Sequence, residues 1–103
     1  MCGIIGIVSK NEVVNRLIDG LERLEYRGYD SAGIATVYNS EIVCRKSTGK
    51  LVSLKNKLKK NPIDGYIGIG HTRWATHGEP IEINAHPHVT KNVAVVHLSL
   101  IHI

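Results

Sequence analysis

The chain opens with Met1-Cys2-Gly3-Ile4-Ile5-Gly6-Ile7-Val8, in which a cysteine directly precedes a short apolar run rich in β-branched residues. Such a run, bounded by turn-forming residues, predicts a buried strand that begins almost at the N-terminus. The strand would hold the terminal segment at an edge or end of a sheet and keep it from fraying. A residue whose chemistry depends on a free terminus needs this kind of anchoring.

Cys2 is the first candidate for chemistry, because removal of Met1 would make it the new N-terminal residue. It would then carry both a thiol, with an ordinary pKa of ~8.5, and an α-amine with a pKa of ~7.7 to 8.0. The amine can act as a general base at neutral pH, and a terminal residue that activates its own side chain is a known catalytic arrangement. The sequence therefore predicts Cys2 as a nucleophile, although a cysteine at position 2 also occurs without a catalytic role.

The remainder of the chain predicts an α+β fold with a mostly antiparallel sheet. Ser9-Lys10-Asn11-Glu12 matches a capping box with Ser9 as N-cap, so we expect a helix to start there and to bury an apolar stripe within residues 13–24. Residues 32–38 and 41–46 are expected to form a hairpin around Asn39-Ser40. The other expected elements are strands at residues 67–72 and 93–96, and a helix with Leu51, Leu54 and Leu58 inward, its lysines outward, and Asn61-Pro62 at its end.

Composition is typical of one globular domain, with 103 residues of which 43% are hydrophobic. The formal charge of +4 is concentrated between Lys46 and Lys60, which we interpret as a solvated helix face, because no aromatic residues alternate with these lysines as in nucleic-acid-binding surfaces. Only Cys2 and Cys44 could form a disulfide, and neither a secretory signal nor a membrane-spanning run is recognisable. We therefore expect a cytoplasmic protein without membrane or nucleic-acid partners.

Two further segments concentrate glycine and polar residues. Tyr26-Arg27-Gly28-Tyr29-Asp30-Ser31-Ala32-Gly33 lies between a predicted helix and a predicted strand, and its simplest interpretation is a loop with a helix C-cap. Gly68-Ile69-Gly70-His71-Thr72-Arg73-Trp74-Ala75-Thr76-His77-Gly78-Glu79-Pro80 leads from a strand into a loop. Within it, Arg73 offers a planar fork for a carboxylate, and Trp74 could act as a lid or pack in the core.

Six histidines raise the alternative of a metal site. His71 and His77 could join a third segment, Asn84-Ala85-His86-Pro87-His88, which is otherwise a rigid turn. Zinc sites usually carry close ligand pairs at defined spacing. His86 and His88 are expected to project to opposite sides of an extended segment, so we expect no metal and no cofactor. A His-rich metal-binding protein and a small basic nucleic-acid-binding module stay open as alternatives.

Four segments together closely resemble the N-terminal glutaminase domain of the isomerising glutamine-fructose-6-phosphate aminotransferases. They are residues 1–6, 24–33, 71–80 and 84–88, in order and in register, and the resemblance runs to about residue 97. The opening Cys-Gly-Ile alone would fit any class II glutamine amidotransferase, including the amidophosphoribosyltransferases, asparagine synthetases and glutamate synthases. Tyr29 and the loop Trp74-Ala75-Thr76-His77 favour the aminotransferases.

The resemblance implies the N-terminal nucleophile hydrolase fold, a four-layer αββα sandwich of which residues 1–97 would be the incomplete N-terminal part. It implies that Cys2 attacks the side-chain amide of glutamine, forms a glutamyl thioester and releases ammonia. The other assignments that it implies are Arg73 on the substrate α-carboxylate, Thr76 and His77 in support of Arg73, Trp74 as a mobile lid, and Arg27 and Gly3 beside the nucleophile.

In a whole family member, the ammonia would pass to a C-terminal isomerase portion that converts fructose 6-phosphate to glucosamine 6-phosphate. The resemblance therefore implies L-glutamine and fructose 6-phosphate as substrates, and a homodimer as the assembly. None of the isomerase portion is present in these 103 residues.

The end of the chain departs from the family pattern. After His97 the family continues with Asn-Gly, which supplies the oxyanion hole, whereas this chain continues with Leu98-Ser99-Leu100-Ile101-His102-Ile103. Loss of one such donor lowers the rate by ~10² to 10³, so we expect the chain to be inactive by itself. We expect residues 98–103 to result from a frameshift, a chimeric join or read-through, and sequencing of the source locus to show Asn-Gly after His97.

Overall fold

The computed structural model describes residues 3–24, 30–74 and 82–97, which form an antiparallel sheet, two helices and a small second sheet. The elements are β1 (Gly3–Val8), α1 (Val14–Leu24), β2 (Ser31–Tyr38), β3 (Glu41–Thr48), α2 (Leu51–Lys60), β4 (Ile67–Arg73), a 3-10 helix (Glu82–Asn84), β5 (His88–Val89) and β6 (Ala94–Val95). The mixture of helices and antiparallel strands confirms the predicted α+β class.

The main sheet has the strand order β1-β4-β2-β3, and every neighbouring pair in it is antiparallel. β1 lies at one edge and pairs with β4 from Gly3 opposite Thr72 to Val8 opposite Ile67. The predicted N-terminal strand and its edge position are therefore confirmed. Because the two strands run in opposite directions, the start of β1 meets the end of β4.

Both helices contribute to one apolar core against the sheet. Each fully buried aliphatic side chain of this kind stabilises the fold by roughly 1.5 to 3 kcal/mol, so this face is the main source of stability. The buried members of the core are Val13, Val14, Leu17, Ile18, Leu21, Ala32, Ile34, Leu51, Leu54 and Ile63. Among the described residues, no helix has the length and apolar character needed to cross a membrane.

The start of α1 differs from the prediction. The backbone amides of Ser9 and Val13 donate to the carbonyl oxygens of residues 66 and 65, over 2.8 and 2.9 Å, so the segment between them is held beside that loop. The helix begins only at Val14, whose amide donates to the Glu12 carboxylate. The capping box with Ser9 as N-cap is therefore wrong, because long-range hydrogen bonds to residues 65–66 hold this stretch in a non-helical path.

The hairpin and α2 follow the prediction closely. β2 and β3 pair from Ser31 to Tyr38, and both turn residues have positive φ angles, 51° at Asn39 and 62° at Ser40, as in the type I′ turns that match strand twist. α2 ends at Lys60, before Asn61-Pro62, as predicted.

One lysine of α2 does not point simply into solvent. Lys57 Nζ donates to the carbonyl oxygen of Lys46 over 2.6 Å and pairs with Glu82 Oε2 at 2.9 Å. The prediction that the lysines of this helix all face outward is therefore wrong at Lys57, which joins α2 to β3 and to the 3-10 helix.

The face of the sheet opposite the helices carries the small second sheet. Ala32 and Ile34 face the helices, so Gly33 between them opens onto the other face. A Cβ atom there would overlap the carbonyl oxygen of His86 and lie 3.0 Å from Pro87 Cδ, so this loop crosses the sheet at close range. β5 and β6 follow as an antiparallel pair, which confirms the strand predicted at residues 93–96 in shortened form. Among the described residues, the helices cover one face of the main sheet and the small second sheet lies on the other, which accounts for three of the four layers of the predicted sandwich.

Candidate active site

The candidate site lies where β1 begins and β4 ends. Gly3 is opposite Thr72 in the register, so Arg73 and Trp74 follow directly at this end of the sheet. A Cβ atom at Gly3 would lie 2.7 Å from Leu24 Cδ1 and 3.1 Å from Thr72 Oγ1, so only glycine fits without displacement of its neighbours. Cys2 lies outside the described residues, but its covalent bond to Gly3 attaches it to this point of the sheet.

Arg73, the last residue of β4, is buried, with 9% of its surface exposed. Its carbonyl oxygen accepts the backbone amide of Asp30 over 2.7 Å, and the carbonyl oxygen of Asp30 accepts the amide of Gly49 over 2.7 Å. The first of these bonds joins Asp30, just before β2, to the end of β4, a contact that the sequence did not predict. A buried guanidinium at the end of a strand can bind a carboxylate through two parallel hydrogen bonds.

Trp74 comes directly after β4 and is half exposed, with 50% of its surface accessible. The alternative of core packing is therefore wrong for this side chain. Its position beside Arg73, at the rim of the sheet, is compatible with the predicted role as a lid. That role stays a prediction.

Three histidines form a cluster beside Arg73. His71 lies on β4 with 1% of its surface exposed, and its ring stacks on that of His86 with centroids 4.1 Å apart and planes at 16°. The ring of His88 lies 4.3 Å from that of His86, tilted by 55°. The expectation that His86 and His88 project to opposite sides is therefore wrong, because residues 85–87 are not extended and β5 begins only at His88.

The surroundings of the cluster favour neutral imidazoles. Burial, followed by the charges of His71, His88, Arg73 and His97, lowers the pKa of His86 to about 4. Burial also lowers the pKa of His71 below its ordinary value, although the hydrogen bond to His97 opposes this shift. The pKa of His88 is lowered by burial and by Lys46 and Arg73. In the described part of the chain, no three or more His, Cys, Asp or Glu side chains are grouped so that they could hold a metal ion.

Cys44 offers a useful contrast to Cys2. It lies on β3 as a free, partly buried thiol, and burial raises its pKa above the ordinary value, with Lys46 and Arg45 opposing that shift. A raised pKa reduces the thiolate fraction at neutral pH and hence the reactivity of the sulfur. Cys44 is therefore an internal reference for the reactivity of a partly buried, non-catalytic cysteine.

Several predicted site residues lie outside the described residues. They are Cys2, Arg27, Thr76 and His77, together with Tyr29 and the tail of residues 98–103. Their roles stay predictions. The described members of the predicted site are Gly3, Arg73 and Trp74, and the structure brings all three to one end of the sheet.

Sequence reasoning did not find the contacts among the histidines. The signal that could have revealed them is Gly33, a glycine between Ala32 and Ile34 in the middle of an apolar strand. A glycine in such a place often marks the close approach of another backbone. Here that backbone is His86-Pro87.

Comparison with known proteins gives close relatives. The chain is 61% identical to glutamine–fructose-6-phosphate aminotransferase (isomerizing) of Brucella abortus, 57% to that of Mesorhizobium japonicum and 58% to that of Rhizobium leguminosarum bv. viciae, each over 101 residues. These alignments cover 98% of this chain but only 17% of each relative, so the chain spans about a sixth of their length. No family model matches the chain.

Among solved structures, the glutamine phosphoribosylpyrophosphate (PRPP) amidotransferase from B. subtilis superposes with a TM-score of 0.70 at 25% identity. A structure described as the allosteric regulatory enzyme of purine biosynthesis gives the same TM-score at 26% identity. Each superposition covers 84% of this chain and 18% of the other. Over almost its whole length the chain is therefore similar to the N-terminal part of the glutamine–fructose-6-phosphate aminotransferases, and it has the N-terminal nucleophile hydrolase fold of the class II glutamine amidotransferases.

Proposed function

We propose that this chain is the N-terminal portion of a glutamine-hydrolysing site, with Cys2 as the nucleophile after removal of Met1. The α-amine of Cys2 takes the thiol proton, and the sulfur attacks the side-chain amide carbon of glutamine. A carbon–sulfur bond forms, the carbon–nitrogen bond breaks, and ammonia leaves with the transferred proton. Water then hydrolyses the glutamyl thioester to glutamate and regenerates the thiol.

One observation carries this proposal: the strand that follows Cys2 is paired with the strand that ends in Arg73. Gly3 is opposite Thr72, and these two residues are bonded directly to the proposed nucleophile Cys2 and to Arg73, respectively. Glutamine carries a carboxylate at one end and an amide at the other, so a site that combines a guanidinium with a nucleophilic thiol would suit it. Rigid strands hold such groups more accurately than loops do.

The remaining roles follow the resemblance. We propose that Trp74 covers bound glutamine, that Thr76 and His77 support Arg73, and that Arg27 supports the nucleophile. We also propose that the whole protein passes the ammonia to an isomerase portion, which uses fructose 6-phosphate to form glucosamine 6-phosphate, and that it acts as a cytoplasmic homodimer without nucleic-acid partners.

The relatives favour this reaction over that of the alternative amidotransferases. Identities of 57–61% link the chain to aminotransferases, against 25–26% for the solved structures, one of which is named a PRPP amidotransferase. The alternatives of a small metal-binding or nucleic-acid-binding module gain no support from these relatives.

The test is labelling with an electrophilic glutamine analogue after intact-mass analysis for loss of Met1. We expect the label on Cys2 and not on Cys44, protection by L-glutamine, and equal reaction of both sites only after unfolding. Cys2→Ala should abolish labelling, and Cys44→Ala should not change it. Labelling at Cys44 alone, or equal labelling of a form that retains Met1, would contradict the mechanism.

Two further variants sharpen this test. Arg73→Lys keeps the positive charge but loses the planar fork, so it should weaken protection by L-glutamine without abolishing reaction with a simple alkylating agent. Leu98→Asn combined with Ser99→Gly introduces the dipeptide of the family, and should raise the rate of labelling if the oxyanion hole is what this chain lacks.

A further inference from the structure

Both backbone groups of His97 are bound by histidine side chains. Its amide donates to Nδ1 of His86 over 3.2 Å, and its carbonyl oxygen accepts from Nε2 of His71 over 2.9 Å. These contacts join residues separated by 11 and 26 positions in the sequence. His97 is thus connected directly to β4, although β6 ends at Val95.

The two side chains that bind His97 are themselves fixed by the sheet. The backbone of His71 is opposite Ile4 on one side and Gly33 on the other, in the interior of the sheet. His86 is placed by the close passage of its carbonyl group over Gly33, and its ring stacks on that of His71. The pair therefore forms a rigid support built on β4 and β2.

The hydrogen bonds determine where the protons are. Nδ1 of His86 can accept the His97 amide only when that nitrogen carries no proton, so His86 must be neutral with its proton on Nε2. Nε2 of His71 donates, so the neutral form of His71 also carries its proton on Nε2. A positive charge on His86 would remove the acceptor and leave the His97 amide without its partner.

The groups that face His86 all disfavour its positive charge. They are His71 and Arg73 of β4, His88 of β5, and His97, while Lys46 of β3 acts on the neighbouring His88. In the part of the chain that the structure describes, no acidic residue is among these neighbours. The surroundings thus keep the acceptor nitrogen available at neutral pH.

We propose that His71 and His86 are positioning residues that hold the His97 peptide against β4, the strand that ends in Arg73 of the candidate active site. The carbonyl of His97 is bound by a residue two positions before Arg73 on the same strand and the same face. The His97 carbonyl is therefore held on the face of β4 that also carries Arg73, the residue proposed to bind glutamine. The functional half of this inference rests on the proposed glutaminase function.

The first test measures the hydrogen bonds by NMR of the full chain labelled with ¹⁵N. We expect scalar coupling across the hydrogen bond between the His97 amide nitrogen and Nδ1 of His86, and Nε2–H tautomers for His71 and His86 at pH 7. The His97 amide shift should titrate together with His86, below the pH of an ordinary imidazole. Absence of the coupling, or titration of His86 near pH 6.5, would overturn the inference.

The second test compares two matched variants. His86→Ala should raise hydrogen exchange at the His97 amide by about 3- to 10-fold, the factor expected for one net hydrogen bond. His88→Ala removes an imidazole from the same cluster without removing an acceptor for His97, so it should change that exchange less than about twofold. Protection of the Ile34 amide in the sheet core reports whether each variant stays folded. If His86→Ala does not fold, the NMR test on the unmodified chain decides the inference.

A third measurement separates this inference from the proposed function. His86→Ala should slow the maximal rate of Cys2 labelling more than it changes the concentration of glutamine analogue at half-maximal rate, and His88→Ala should do neither. If both variants slow labelling equally, the positioning role is refuted while the glutaminase proposal stands. If Cys2 is labelled neither in the unmodified chain nor in the variant with Leu98→Asn and Ser99→Gly, but the coupling is observed, the glutaminase proposal and the functional half of the inference fail, and the contacts of His71 and His86 with His97 are confirmed.

Discussion

Gly3→Ala tests whether the end of the sheet beside Cys2 is built for glycine. The φ angle of Gly3 is ordinary, so the substitution is limited by space and not by backbone strain. The added Cβ would lie 2.7 Å from Leu24 Cδ1, 3.1 Å from Thr72 Oγ1 and 3.2 Å from Leu24 Cβ. The overlap of the new Cβ with Leu24 is relieved only if either Leu24 or the start of β1 moves.

Two opposing effects determine how much Gly3→Ala changes the free energy of unfolding. Overpacking a well-packed site usually destabilises a protein by about 1 to 3 kcal/mol. Replacement of glycine by alanine reduces the entropy of the unfolded chain and stabilises by about 0.4 to 1 kcal/mol. We therefore expect Gly3→Ala to lower the free energy of unfolding by about 1.3 kcal/mol, the difference between the midpoints of these ranges, within limits of about 0 and 2.6 kcal/mol.

Gly6→Ala on the same strand is the matched control. Its added Cβ would lie 3.9 Å from the nearest atoms, Gly68 O and Ile69 Cγ2, at ordinary van der Waals distance. Only the entropic effect remains there, so Gly6→Ala should be neutral or stabilise by up to about 1 kcal/mol. Urea unfolding of both variants, with the slope checked for constancy, measures the difference.

Leu24→Ala provides a second check, because it removes the Cδ1 atom that lies closest to the new methyl group. The cost of Gly3→Ala should be smaller in the Leu24→Ala background, with a coupling of at least about 0.5 kcal/mol. Labelling of Cys2 should slow in Gly3→Ala and not in Gly6→Ala, since only the former displaces the residue that Cys2 is attached to. Equal stabilities of the two glycine variants, or additive effects with Leu24→Ala, would refute the steric reasoning.

Three further outcomes are expected. Leu54→Ala should lower the free energy of unfolding by about 2 to 5 kcal/mol because Leu54 is fully buried, whereas Val52→Ala on the exposed side of the same helix should change it by less than about 0.5 kcal/mol; urea unfolding distinguishes them. Ser40→Gly should stabilise by about 0.5 to 1 kcal/mol, because Ser40 has a φ of 62°, and a lower melting temperature would contradict this. The pKa of His86 is lowered from 6.5 to about 4, so between these pH values the unfolded state binds more protons; its contribution to stability is complete above pH 6.5 and is lost as pH falls through this window. Unfolding measured from pH 7 to pH 4 should therefore show a shallower decline in His86→Gln than in the unmodified chain, and identical slopes would contradict the assignment.

The local elements could be predicted from the amino-acid sequence. The β-branched run after Cys2, the Asn39-Ser40 turn and the leucine spacing of α2 each act through neighbouring residues, and all three appear where they were predicted. Arg73 and Trp74 were also recognisable from their residue types and from the resemblance to known amidotransferases.

The way in which these elements meet depends on long-range packing and could not be predicted from local patterns. The late start of α1 depends on hydrogen bonds from Ser9 and Val13 to a loop more than fifty residues away. The stacked pair of His71 and His86, and their hold on His97, depend on a loop that crosses the sheet at Gly33. Local patterns predict an element because its cause lies within a few residues, whereas contacts between distant segments arise from the packing of the whole sheet.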